Sequence, residues 1–299
     1  TVEDYLNLYI DKAIERGLAN STITGYEKAK NGLRDLWKIP VPELETLNIV
    51  NLIENSTLSR KTLSNRLSLL SSSLNRAIVD KMIKVNPASG IRIQEYLTNK
   101  SKINARNIHE DVIPFTPAET RQLIRAAEDT VKAIVALLFD TGIRSSEWVA
   151  LKKVDVCLVS KTISIFEAIV EGKTKATKTK SGRRRIPISQ EVCELLKREM
   201  AKTGSEYVFL NSQGNVWNQD SFRKHIWKKL LSTAGVKYRY PYQTRHTFAT
   251  RLISEGMNLW KIAKLMGHTS PNMLYTHYGN YIDAYEKIPK AKALNLNVE

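Results

Sequence analysis

Cysteine is scarce: the 299 residues hold 2, Cys157 and Cys193, far apart along the chain. That excludes a disulfide scaffold, a paired CxxC metal site and a dithiol redox motif, and it suits a reducing cytoplasm. No apolar run approaches the roughly 20 residues that a membrane-spanning helix needs. The opening stretch "TVEDYLNLYI" lacks the basic-then-apolar order of an export signal. No HExxH and no carboxylate cluster suggests a catalytic metal, so neither metal nor cofactor is expected. Gly172-Lys173-Thr174 looks like the end of a nucleotide-cradling loop, but Glu167 stands five places before Gly172, where that loop needs glycine. Acid is missing locally as well. Lys173 to Arg185 holds seven basic residues and no acid, and Ser221 to Ser254 holds eight and no acid.

What is present is positive charge. The net charge is +16, and residues 101–299 carry 32 basic against 19 acidic side chains. Up to Lys100 the balance is only 14 against 11. Clumped cations are the electrostatic footprint of a polyanion partner, most simply nucleic acid. A solvated surface is the plainer reading of the same charge. Neither stretch has the bulky apolar face of a membrane-surface helix.

The patterning predicts a mainly α protein with a small antiparallel β-sheet, in two domains, since 299 residues is long for one core. Residues 1–92 read as a helical unit. Leu6, Tyr9, Ile10 and Ala13 share one helical face, and Ser21 is the expected N-cap of "TITGYEKAKNGLRDLWK". Leu63, Leu67, Leu70, Leu74 and Ile78 form the strongest stripe, with Arg60, Lys61 and Arg66 off it as candidate DNA contacts. Residues 93–113 are polar, aperiodic and followed by Pro114, as in an interdomain linker. Residues 114–299 form the second, α+β domain. Thr116, Pro117 and Glu119 signal a helix start. "TISIFEAIV" and "RRRIPI" flank a basic hairpin tip, where Lys173, Lys175 and Arg183 are further candidate DNA contacts.

Side chains suited to phosphate chemistry sit at turns of this second domain. "TGIRSSE" places Arg144 after a Thr-Gly turn with Glu147 three residues on; "YQTRHTFAT" places Arg245 beside His246; "MGH" places His268 after a glycine. Arginine's planar fork matches two phosphate oxygens, and two arginines could flank the charge of a pentacoordinate transition state. In this order the motifs resemble the tyrosine recombinase, or phage integrase, family. Its catalytic domains carry "TGxRxxE", a hairpin lysine before "RxIP", "HxxRHTFAT", "LGH", and a tyrosine about ten residues later. Here Lys178 fits the hairpin lysine, with Lys180 as alternative, and Tyr278 lies ten after His268. Tyr275 is the reserve nucleophile. The helical first domain resembles the family's core-binding domain.

The resemblance implies a site-specific DNA recombinase of integrase or excisionase type, working without ATP or metal. Tyr278 would attack a phosphodiester, giving a 3′-phosphotyrosyl link and a free 5′-hydroxyl. Arg144 and Arg245 would clamp the non-bridging oxygens, Lys178 would protonate the departing oxygen, and His268 would act as acid/base or hydrogen-bond donor. Glu147 and His246 are expected in supporting roles. One position departs from the pattern: Tyr242 stands where the family has the first His of "HxxR". A phenol donates a hydrogen bond but does not shuttle protons near neutral pH. The implied partner is a double-stranded DNA site bound by a homotetramer beside the nucleoid, with the tail 286–299 docked on a neighbouring protomer and accessory DNA-bending proteins as further candidates. The family's additional arm-binding domain is expected to be absent or to lie upstream. A topoisomerase IB-like activity, a non-catalytic DNA-binding protein of the same fold and a metal-dependent nuclease are the alternative readings.

Overall fold

In the computed structural model, which describes residues 1–97, 112–170, 172–176 and 182–285, the chain divides into two units, Thr1–Glu110 and Asp111–Glu299. The described part of the first is helical. Helix α1 (Val2–Glu15) starts in a capping box between Thr1 and Asp4 and buries Val2, Leu6, Ile10 and Ala13. Tyr9 lies at the margin of that face, edge-on to Tyr26 with ring centroids 5.6 Å apart. Helix α2 (Asn20–Asn31) begins two residues earlier than Ser21 would allow as its cap; Ala19 holds the N-cap position and makes no side-chain bond. The helix also stops short of the expected run to Lys38, giving way to a 3₁₀ turn over Arg34–Leu36. Arg66 covers its end and donates from Nη1 to the Gly32 carbonyl at 2.8 Å.

Helices α3 (Thr46–Glu54), α4 (Arg60–Val79) and α5 (Ile93–Tyr96) complete the unit. On α4 the buried residues are Leu63, Leu69, Leu70, Ser73, Leu74 and Ala77. Leu67 and Ile78 of the expected stripe are only half-buried, because α1 and α2 both pack on α4 and widen its inner face toward Leu69 and Ser73. Ser73 is satisfied there by donating to the Leu69 carbonyl at 2.9 Å. Ile93, at the expected start of the linker, is buried in this unit's core. Most of that stretch, residues 98–111, lies outside the described residues.

In the second unit α6 (Pro117–Ala126) starts in the capping box that Thr116 and Glu119 announce. Helix α7 (Asp129–Thr141) is buried along most of its length, and Gly142 ends it with φ 59°. The short α8 (Ser145–Val149) follows at once. Strands β1 (Val156–Cys157), β2 (Thr162–Ile165) and β5 (Arg184–Pro187) form an antiparallel sheet with β2 in the centre, pairing Ile163 with Ile186 and Ile165 with Arg184. The run expected as one strand is two, because β3 (Glu167–Val170) breaks away to pair with β4 (Lys173–Ala176). Part of the basic stretch expected as a tip is therefore strand. Helix α9 (Gln190–Ala201) packs against α7. Helix α10 starts as Gln219–Ser221, widens to π-helical turns over Phe222–Trp227 and continues over Lys228–Thr233.

The last three helices, α11 (Gln243–Ser254), α12 (Leu259–Met266) and α13 (Asn272–Tyr285), share a small core. It includes Phe248, Leu252, Ile262, Met266, Leu274 and Tyr278. This core meets α7 at Gly142, where a Cβ would lie 2.5 Å from the Phe248 ring. Gly142→Ala combines a left-handed backbone with displacement of a buried ring, so its expected loss is about 3 kcal/mol. Gly256→Ala, with φ 75° and nothing within 4 Å of its added Cβ, is expected to lose about 1 kcal/mol. Chemical denaturation checks the pair, and equal losses would contradict the packing.

Candidate active site

Arg144 is the N-cap of α8 and Glu147 its third helical residue, a spacing that folds the carboxylate back onto the cap. Glu147 accepts from the Arg144 backbone amide at 2.7 Å and from Arg144 Nη1 at 2.8 Å. A second guanidinium arrives from β5: Arg184 Nη1 and Nη2 donate to the two carboxylate oxygens at 3.0 and 2.8 Å. Glu147 is only 3% exposed. Burial alone would raise its pKa, but the bonds and charge of Arg184, joined by Arg144, hold it at about 2.

Arg184 also donates from Nε to the Leu265 carbonyl at 2.6 Å and from Nη1 to the Gly182 carbonyl at 3.1 Å. It therefore ties the start of β5 to α8 and to α12. Gly267 ends α12 with φ 70°, and a Cβ there would crowd Arg184 Nη1 at 3.0 Å. The tight turn lets Arg144 Nη2 reach the Gly267 carbonyl at 3.4 Å and leaves His268 next in line.

Arg245, on α11, is 1% exposed. Its Nη1 donates to the Gly142 carbonyl at 2.8 Å and its Nη2 to the Met266 carbonyl at 2.5 Å. Nη2 also lies 3.0 Å from His268 Nε2. A guanidinium has no acceptor, so Nε2 accepts and the His268 proton is assigned to Nδ1. Burial, then the charges of Arg245 and Arg144, lower His268 to about 4, which keeps the ring neutral at pH 7. Burial and the charge of Arg144 lower Arg245 to about 10, which leaves it charged. Arg245 Nε and His268 Nδ1 are both buried and have no hydrogen-bond partner among the described residues.

Tyr278 enters from α13, 2% exposed, with its hydroxyl 2.7 Å from His246 Nδ1. Burial raises the phenol above its ordinary range, although the Arg245 charge pulls the other way. Burial, with the charges of His277 and Arg245, lowers His246 to about 4. Phenol and imidazole thus meet as two neutral groups. Tyr242, the residue before α11, stands at the rim, 44% exposed, its ring edge-on to His246 at 5.1 Å.

The fold therefore gathers Arg144, Glu147, Arg245, His246, His268 and Tyr278, with Tyr242 beside them. Lys178 and Lys180 lie outside the described residues. Lys173 and Lys175 fall on β4, and Arg183 is exposed just before β5. Arg60 and Lys61 are exposed at the start of α4, whereas Arg66 is drawn inward onto Gly32. Tyr275 is 57% exposed. Arg184 is the residue sequence reasoning missed. Alternation with Ile186 and Ile188 put it on the inward face of its strand, where an arginine needs a buried acid. Among the described residues no group of His, Cys, Asp and Glu could hold a metal ion, and no helix is long and apolar enough to cross a membrane.

The two depressed histidines make stability depend on pH. Each takes up a proton below about 6.5 when unfolded but only near 4 when folded. Their contribution is intact above pH 6.5 and is lost as pH falls toward 4. The melting temperature is expected to drop across that window and the slope to flatten in His268→Gln; an equal slope in both proteins would contradict the assignment.

Residues 114–283 match the phage integrase family. The tyrosine recombinase XerC-like protein of Caldanaerobacter subterraneus is 25% identical over 315 residues, covering 93% of this chain and 79% of that protein. Tyrosine recombinase XerC of Bacillus licheniformis is 25% identical, covering 92% of each. Among solved structures, the Tn1549 transposon integrase in complex with a circular intermediate DNA shares the fold, with a TM-score of 0.77, 22% identity, and coverage of 92% of this chain and 94% of that one. A lambda integrase tetramer bound to a Holliday junction shares it at a TM-score of 0.68 and 16% identity, covering 90% and 77%. The family match takes in more than half of the chain and every described residue of the cluster, so this protein belongs to the phage integrase family and is a tyrosine-type site-specific recombinase.

Proposed function

We propose that the cluster cleaves and rejoins double-stranded DNA through a 3′-phosphotyrosyl link to Tyr278, in an integrase- or excisionase-type recombination. The observation that carries this reading is the pair of buried donors on neighbouring side chains, Arg245 Nε and His268 Nδ1, that have no partner among the described residues. A tetrahedral oxyanion supplies the acceptors that such donors need. Arg144, pinned by Glu147 yet a third exposed, adds a second guanidinium.

In the proposed step the Tyr278 oxygen forms a bond to phosphorus while the bond to the 5′-oxygen breaks. The phenol proton passes to His246 Nδ1, and the departing oxygen takes a proton from Lys178, or from Lys180 in its place. Arg144 and Arg245 hold the non-bridging oxygens, with a hydrogen bond from His268 Nδ1. The phosphodiester energy is kept in the tyrosyl link, so resealing to another strand needs no nucleotide. Before DNA binds, the raised phenol pKa and the His246 contact keep the nucleophile protonated and inward. Tyr242 contributes a hydrogen bond at the rim. Assembly as a tetramer is supported by the likeness to the lambda integrase tetramer bound to a Holliday junction; the tail 286–299, expected to dock on a neighbouring protomer, lies outside the described residues.

A nicked duplex library tests the reading, because loss of the short strand traps the covalent intermediate. Wild type is expected to give a protein–DNA adduct that resists denaturation and is insensitive to EDTA. Tyr278→Phe should give none, a loss of at least 1,000-fold on the order of removing a nucleophile, while Tyr275→Phe should still form it. Equal behaviour of wild type and Tyr278→Phe would demote the chain to a DNA-binding protein of this fold.

A further inference from the structure

Helix α12 turns Ile262, Ala263 and Met266 into the core and leaves Trp260, Lys261 and Lys264 exposed on its other side. Trp260 is 66% exposed, an unusual position for so large an apolar ring. Of the other tryptophans of the second unit, Trp148 and Trp227 are buried in its core and Trp217 packs against it. Trp260 lines a cleft of about 430 Å³ together with Lys261, Lys264, Arg183, His268 and Thr269. Among the described residues no acid forms an ion pair with Lys261, Lys264 or Arg183. His268 belongs both to this cleft and to the Arg245 cluster, so the cleft adjoins the proposed phosphate pocket.

An open aromatic face ringed by unpaired cations is the arrangement that binds single-stranded nucleic acid: the ring stacks on a base and the cations follow the backbone. The cleft's volume is within the ~300–1,000 Å³ range of small-ligand sites, which suits a single nucleotide rather than a duplex. Resting on the recombination reading, we propose that Trp260 is a stacking platform for one unpaired nucleotide beside the cleaved phosphate, with Lys261, Lys264 and Arg183 holding its flanking phosphates. A strand that changes partners must leave its own duplex stack. The platform offsets that lost stacking at the point where the 5′-hydroxyl end waits to be rejoined.

The test needs no catalysis. Two probes are compared: a fully paired duplex, and the same duplex with a nick and one unpaired 2-aminopurine nucleotide beside it. Stacking on Trp260 is expected to quench the 2-aminopurine fluorescence. Trp260→Ala should remove the quenching and weaken binding to the nicked probe about tenfold, leaving affinity for the paired duplex unchanged; Trp260→Phe should recover most of the loss. The exposed position leaves the melting temperature unaltered, which separates this effect from misfolding. Equal affinities of wild type and Trp260→Ala for the nicked probe would overturn the proposal. So would a parallel loss on both probes, since that describes a general phosphate contact. Adduct formation by Tyr278 is scored separately, so its failure would sink the cleavage reading without imitating either result.

Discussion

One buried carboxylate organises the catalytic unit. Glu147 is cut off from water, and a lone carboxylate so placed would be strongly destabilising. Four donors offset this, two from Arg144 and two from Arg184. Because Arg184 also holds the Leu265 and Gly182 carbonyls, the same ion cluster joins the start of α8, the start of β5 and the end of α12. Arg144 is thereby fixed with N–H groups to spare, and the Gly267 turn that presents His268 is packed against Arg184. Removing either arginine would strip donors and a compensating charge from a buried carboxylate, which is costly even with the other arginine still in place.

Around this anchor the pocket's charge is kept permanent rather than pH-dependent. Arg144 and Arg245 supply it, while burial holds His246 and His268 neutral, helped by His277 and Arg245 at His246 and by Arg245 and Arg144 at His268. Arg245 remains charged despite its burial because Gly142, Met266 and His268 all accept from it. The phenol of Tyr278 is kept protonated by the same burial that packs its ring with Leu274 and Ile262. A cationic pocket facing a neutral nucleophile is suited to an anion that arrives from outside and alters the balance by binding.

Much of this was legible in the sequence. The capping spacing of Arg144 and Glu147, the Thr-Gly turn and the α11 motif are local, and local signals fix local geometry. Their order along the chain then pointed to one family and one pocket. Less legible were features set by long-range packing. The inner face of α4 shifted because two helices press on it, the expected single strand split where β3 turned to pair with β4, and α2 ended at Gly32, under the Arg66 side chain. Arg184 was hidden by its setting, since in a run of three arginines only the alternation with Ile186 marks the middle one as buried. The partner that makes its burial tolerable lies 37 residues away. His246 was expected to support the site, but its direct bond to Tyr278 depends on how α11 and α13 pack.

In the proposed reaction Arg144, Arg245 and His268 share one oxyanion with the Tyr278 oxygen in line. Crystals of the protein with a nicked duplex and vanadate test it most directly, since vanadate adopts the five-coordinate geometry of phosphoryl transfer. Vanadium is expected to be bonded to the Tyr278 oxygen, with its equatorial oxygens accepting from Arg144, Arg245 Nε and His268 Nδ1. Vanadate bound elsewhere, or held without Tyr278 as an apical ligand, would contradict it.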